Sequence, residues 1–393
     1  MPTLGMAASA PRSRDRRLRV ALDATPLLTP RAGVGEFCWR ALRALALLPD
    51  LDVGAFAISW RRRHGIKGQL PEGVSALERP MPARPLHKAW ARWAFPPVEM
   101  FIGPVDVVHG TNFVVPPARK AAMVVTVHDL TPVHFPDLVE PASRAYPELI
   151  RKAVLRGAWV HTPSKFVAQE VSEFLGVPPE RVRPVYHGVV APAAGSVAPD
   201  RARAVLPPWA GRYVLAVGTV EPRKDLPGLV RAFAAAAKGR PGLALVIAGD
   251  ERWGSAQLDE AVAASPAGGQ VVRLGRVDDE TRDSLIAGAE ILAYPSLYEG
   301  FGFPPLEAMA LGTPVVATRC GALEEVLGSA ARFVDLGDVD GLGAAIEQLI
   351  DDSELRASFV RLGRERAKLY TWEACGAGLA ALYADAAAAR AVR

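Results

Sequence analysis

Two acids, two adjacent cations and a set of loop glycines carry the chemistry open to this sequence. The segment Pro295–Val316, PSLYEGFGFPPLEAMALGTPVV, holds Glu299 and Glu307 with seven residues between them. Gly300 and Gly302 let the backbone approach a bulky ligand. The helix expected from about Pro305 presents unpaired N–H groups to an anion. A carboxylate can accept two vicinal hydroxyls, a common way to hold a ribose. With Glu299 on the loop and Glu307 in the first turn of the helix, both acids can face one cleft. The plainer alternative is a surface loop with Glu307 as a partner of the helix dipole. Upstream, VGTVEPRKD (Val217–Asp225) sets Arg223 and Lys224 side by side after a strand. Paired cations suit a departing diphosphate, whose charges need balancing; a solvated basic turn is the alternative.

The first half of the chain offers weaker signals. RAGVGEF (Arg31–Phe37) is a loop in which Gly33 and Gly35 can admit a phosphate or sugar, although many α/β proteins turn on glycines there. VVTVHDLTP (Val124–Pro132) puts His128 and Asp129 at the carboxyl end of a strand, where they can contact a sugar or diphosphate; a structural histidine is the alternative.

These residues need a scaffold that brings strand ends together. Short apolar strands are expected at Leu18–Leu22, Val53–Ser59, Val105–His109 and Met123–His128, with helices at Phe37–Leu48, Tyr146–Arg156 and Lys165–Leu175. The stretch Val189–Asp200, VVAPAAGSVAPD, reads as a linker. A second series follows, with strands at Tyr213–Val217, Leu243–Ala248, Val271–Leu274, Ile291–Tyr294, Val315–Ala317 and Arg332–Val334. Its helices are expected at Leu226–Lys238, Asp279–Gly288, Pro305–Leu311 and Leu342–Ile350. Such alternation predicts α/β architecture: two Rossmann-like, doubly wound domains facing across a cleft, with ligands at the carboxyl ends of the strands. The division expected is residues 1–195, 196–371 and a terminal alanine-rich helix, 372–393.

Bulk properties agree with a globular chain of 393 residues, 50% hydrophobic and 22% charged. Mean hydropathy is +0.13, yet no charge-free apolar run reaches membrane-spanning length. Met1–Arg19 lacks the apolar core of a signal peptide and reads as a frayed tail. Cys38, Cys320 and Cys375 show no metal-ligand spacing and read as reduced thiols in a cytoplasmic protein. Net charge is +4, with the basic excess in residues 1–200. This suits an anionic membrane surface or a phosphate-bearing acceptor; solvated arginine is the alternative. No nucleic-acid reading motif is present. RPLHKAWAR (Arg84–Arg92), followed by Trp93 and Phe95, interleaves cations with aromatics as a peripheral membrane contact would, or as a core-packed helix with a basic outer face.

Taken in order and spacing, EGFGFP with its following glutamate, EPRK, the glycine loop and VHDLTP resemble the GT-B glycosyltransferases, specifically the retaining family 4, over nearly the whole chain. The resemblance implies a transferase moving a hexose, mannose by preference, from a nucleotide-diphosphate sugar, GDP-mannose before UDP-sugars. The acceptor would be a glycan or lipid-linked molecule in cell-envelope or exopolysaccharide synthesis, at the inner face of the membrane. It implies that Glu307 binds the donor ribose and that Glu299 lies against the transferred sugar. Arg223 and Lys224 would hold the pyrophosphate, which Gly35 approaches from the other domain, while His128 touches the sugar. Backbone over Gly300, Phe301, Gly302 and Phe303 would cap sugar and phosphate, and Val277 would meet the base. Glu299, His128 and Lys224 thus stand as the catalytic set. Thr219 departs from the pattern, since many members carry an arginine there. The resemblance implies no metal ion, with protein cations in its place; Asp50–Asp52 and Asp338–Asp340 read as turn and helix-start residues. The terminal helix would cross back to the first domain. A nucleotide-sugar 2-epimerase, a phosphorylase or a non-catalytic nucleotide-sugar binder of the same fold are the competing readings.

Overall fold

In a computed structural model, residues 17–29, 31, 33–62, 65–190 and 197–391 are described. Residues 1–16 of the expected tail and the centre of the expected linker lie outside the described residues, while Leu18 and Arg19 belong to the first strand.

The chain forms two parallel sheets. The first contains β1 (Leu18–Asp23), β2 (Leu51–Phe56), β3 (Ser75–Ala76), β4 (Val107–Gly110), β5 (Ala122–Thr126), β6 (Trp159–Thr162) and β7 (Val182–Pro184) in the order β3-β2-β1-β4-β5-β6-β7. The second contains β8 (Arg212–Val217), β9 (Leu243–Ala248), β10 (Val271–Gly275), β11 (Ile291–Tyr294), β12 (Val315–Thr318) and β13 (Ala331–Val334) in the order β10-β9-β8-β11-β12-β13. Helices cover both faces, so central strands are apolar throughout rather than alternating: every residue of β9, β11 and β12 is buried. In each sheet the strand order reverses once, between β1 and β4 and between β8 and β11. Diverging connections open a crevice beyond the carboxyl ends at these points.

Local chemistry places the connections. The helix Phe303–Leu311 starts two residues earlier than expected, because Gly302 adopts φ +98° as its cap and Pro304 and Pro305 fit its first positions. Glu307 is therefore in the second turn of this helix, not the first. Asp225 caps the helix Leu226–Ala237 through a 3.0 Å bond from Gly228 N. Lys224 is thereby fixed one residue outside that cap. Asp338 likewise caps Val339–Asp351, accepting from Gly341 N at 2.8 Å.

The final helix, Trp372–Ala391, leaves the second sheet and packs on the first. Trp372, Cys375, Leu379, Leu382 and Tyr383 join Phe37, Leu42 and Val124 in one buried cluster. All three cysteines are free and buried. Among the described residues, no helix is long and apolar enough to cross a membrane.

Candidate active site

The loops beyond β1, β5, β8 and β11 meet around a cavity of about 380 Å³. Two contacts draw its walls together. Gly300 lies so close to the first half that an added Cβ would stand 1.9 Å from the His128 carbonyl oxygen, so only glycine fits. Tyr298 crosses the same boundary: Leu130 N donates to its hydroxyl at 2.9 Å, and the hydroxyl donates to Glu170 at 2.5 Å.

On the second-half wall, Glu299 is buried among partners. Lys224 Nζ donates to its Oε1 at 2.6 Å, Arg223 Nη1 lies 2.9 Å from the same oxygen, and the Tyr294 hydroxyl donates to it at 3.0 Å. Arg223 also reaches the Tyr298 carbonyl and Glu221 Oε1, both at 2.7 Å. Burial alone would push the Glu299 carboxyl up, but Arg223 and Lys224 hold it down at about 2. Burial pulls the Lys224 ammonium below its ordinary value, with neighbouring Arg223 adding to the fall and the Glu299 and Glu221 carboxylates opposing it. The two cations are thus engaged by two acids, Glu299 and Glu221.

Deeper along this wall, burial raises the Glu307 carboxyl, with Arg282 Nη2 only 3.9 Å away as its counter-charge. Val277, Gly300, Phe301, Gly302 and Phe303 all line the cavity, as do Thr219, Asp250 and Arg276.

The first-half wall has a different chemistry. Gly33, Val34 and Glu36 line the cavity, whereas Gly35 is buried in the first turn of the helix Val34–Ala46 and is not among the lining residues. His128 and Asp129 line the cavity, as expected from their place after β5. His128 Nε2 is 2.9 Å from the Thr111 carbonyl, which can only accept, so this nitrogen carries the hydrogen. Burial lowers the pKa of His128, so the ring is neutral near pH 7.

Sequence reasoning missed the histidines behind it. His161 Nε2 donates to the Val185 carbonyl at 3.0 Å, so its Nδ1 must accept from Thr126 Oγ1 at 2.9 Å. Thr126 Oγ1 must then accept from His109 Nε2 at 2.7 Å, and His109 Nδ1 from the Tyr383 hydroxyl at 2.6 Å. One carbonyl thus orients a chain of four hydrogen bonds running from the final helix through β4, β5 and β6. His187 lines the cavity, stacked on Phe303 at 5.2 Å and tilted against Phe37 at 4.4 Å, and neither ring nitrogen has a hydrogen-bond partner among the described residues. No spacing signal ties these histidines together, since each sits at the end of a different element. Asp279 and Arg282 were also missed; their three-residue spacing at the start of the helix Asp279–Gly288 could have revealed a face turned to the cavity.

Among the described residues, no group of three or more His, Cys, Asp or Glu side chains is placed to hold a metal ion.

Known proteins share this architecture and these segments. Residues 203–366 match the family described as "Glycosyl transferases group 1" and residues 32–191 match "Glycosyltransferase Family 4". O-antigen chain mannosyltransferase B of Escherichia coli is 29% identical over 385 residues, 91% of this chain and 97% of that protein. Phosphatidyl-myo-inositol mannosyltransferase of Mycolicibacterium smegmatis is 36% identical over 180 residues, 45% of this chain and 46% of that protein. Among solved structures, sucrose-phosphate synthase from Thermosynechococcus elongatus aligns with a TM-score of 0.73 at 21% identity, covering 95% of this chain and 100% of that one. The two parallel sheets, the cleft between their switch points and these matches over both halves make the chain a member of the GT-B glycosyltransferases, its first half of family 4 and its second of group 1.

Proposed function

We propose that the protein transfers a hexose, mannose, from GDP-mannose to a glycan or lipid-linked acceptor with retention of configuration, in cell-envelope or exopolysaccharide assembly at the cytoplasmic face of the membrane. The observation that carries the reading is the Glu299 carboxylate held between Lys224 and Arg223 inside the cleft. The mannosyltransferase names of the relatives favour the sugar.

In this reading, Lys224 and Arg223 exchange part of their contact with Glu299 for the donor diphosphate. Their charge then rises in effect as the sugar–phosphate bond breaks and negative charge grows on the leaving oxygen. A preorganised cation in a site shielded from water stabilises that charge without having to reorient. Glu299 keeps the cations aligned and lies against the sugar. Glu307 accepts from the ribose hydroxyls, and neutral His128 contacts the sugar. The gripped diphosphate takes the proton of the incoming hydroxyl on the same face, which gives retention. Val277 meets the base.

A donor panel tests the proposal. GDP-mannose should raise Tm more than UDP-glucose or UDP-galactose, and the acceptor-dependent product should be an α-mannoside. A shift with UDP-sugars alone would replace the donor; conversion of the donor without acceptor into an epimer would replace the reaction.

A further inference from the structure

One polar side chain on the cleft wall has no part in the transfer as described. His187 stands just beyond β7, where the chain leaves the first half. Its backbone is pinned there: a Cβ on Gly188 would stand 2.3 Å from Trp372 N, and Val189 N donates to the Tyr370 carbonyl at 3.0 Å. The peptide leaving the first half is thus clamped to the peptide that returns to it. The His187 ring is 1% exposed yet lines the cavity. Phe303 and Trp372 lie nearly parallel to it, at interplanar angles of 5° and 15°, and Phe301 meets it edge-on at 5.1 Å.

These neighbours fix the ring without meeting its nitrogens. The phenyl rings neither donate nor accept, and His161, 5.8 Å away, has both of its own nitrogens engaged. Among the described residues, His187 Nδ1 and Nε2 have no hydrogen-bond partner. Burial holds the imidazole neutral, so it presents one N–H donor and one acceptor. Buried polar groups are nearly all paired, because leaving them unmet is costly. A phenylalanine would fill the same aromatic packing without that cost, so the nitrogens have a use only toward the cavity. A diphosphate only accepts, and would leave the imidazole lone pair unmet. A hexose carries hydroxyls that both donate and accept, the complement of a neutral imidazole. In the proposed reaction the hexose lies beside this ring: the backbone of Phe301 and Phe303 caps it, and His128, with its ring centroid 5.8 Å from that of His187, contacts it.

We infer that His187 is a specificity-determining contact for the transferred hexose, donating to one sugar hydroxyl and accepting from another. This role presupposes hexose transfer but no particular nucleotide or sugar. The test is calorimetry of GDP and of GDP-mannose on the wild type and on His187→Phe, which keeps an aromatic ring and removes both nitrogens. GDP-mannose should bind about tenfold more weakly to the variant, the effect of two neutral hydrogen bonds, while GDP affinity stays unchanged and Tm is equal or higher. Donors deoxygenated at one position at a time give a second readout. The wild type should discriminate about fivefold against an analogue lacking a contacted hydroxyl, and His187→Phe should lose that preference. His187→Asn, which returns a donor and an acceptor, should recover part of it, and His187→Leu carries the comparison should the phenylalanine variant unfold. Equal loss of GDP and GDP-mannose affinity would make the ring merely structural and overturn the inference. So would an effect confined to the KM of the acceptor, or a preference among deoxy donors that the variants leave intact. A wild type that binds GDP-mannose no better than GDP sinks the donor reading alone; the same comparison with UDP and the UDP-sugar that raises Tm then decides the role of His187.

Discussion

The two walls of the cleft bury titratable groups to a similar depth and treat them in opposite ways. On the second-half wall, Glu299 stays ionised because two cations and a tyrosine hydroxyl surround its oxygen. On the first-half wall and behind it, burial with no opposing charge close by drives histidines neutral: His161 falls to about 3, and His109 and His187 fall well below their ordinary value. Burial alone removes charge, whereas burial with a partner preserves it. A transferase gains from this division. In the proposed reaction, the charged wall would face the diphosphate and neutral His128 the sugar.

Lys224→Ala attacks the charged wall most directly and should lower kcat about 10²–10³-fold. The fold should survive, because Arg223 remains to pair with Glu299. Single-turnover transfer measures the loss, and a near-normal kcat would remove Lys224 from the leaving-group site. The neutral wall is probed by pH. Histidines whose folded pKa lies below the unfolded value of 6.5 take up protons only on unfolding, so stability should fall as pH drops through 6.5 and keep falling towards the folded value of about 3 for His161. The slope is about 1.4 kcal/mol per pH unit for each such histidine, and His161→Gln should flatten it by that amount in denaturant titrations between pH 6 and 4 (about one proton's worth). Glu299 titrates in a lower window that begins only at 4.5: its contribution is full above that pH and is lost as pH falls towards about 2. Acid unfolding that began only below pH 4.5 would erase the contrast between the walls. Glu307→Ala should weaken binding of the nucleoside diphosphate about tenfold by calorimetry, since a hydrogen bond from a sugar hydroxyl to a charged group contributes about 1.5 kcal/mol or more. Unchanged affinity would free Glu307 from the ribose role.

The second half was the more legible part. Its central strands, Leu243–Ala248 and Ile291–Tyr294, are continuous apolar runs, and the sequence reading matches their bounds in the structure. The helix Asp279–Gly288 also matched, because Asp278 caps it with a bond to Thr281 N. In the first half, Trp159–Thr162 and Val182–Pro184 escaped, since histidine, threonine, arginine and proline interrupt their apolar pattern. The helix Ser353–Ala367 escaped as well; few of its residues are buried, so no strong apolar stripe marks it. At the site, motifs found the residues contiguous with a strand end, such as Lys224 and Glu299. Long-range contacts made the rest. His109 and Tyr383 are 274 positions apart, and nothing local to either announces the bond.

That bond binds the order of synthesis to the order of folding. The first sheet leaves the ribosome early, but its core lacks Leu379, Leu382 and Tyr383 until the helix Trp372–Ala391 has been synthesised. Until then the faces of Phe37 and Leu42 have no permanent cover, and His109 has no hydroxyl to accept from. A chain cut short before the final helix would lose the end of its own beginning, and with it one wall of the cleft.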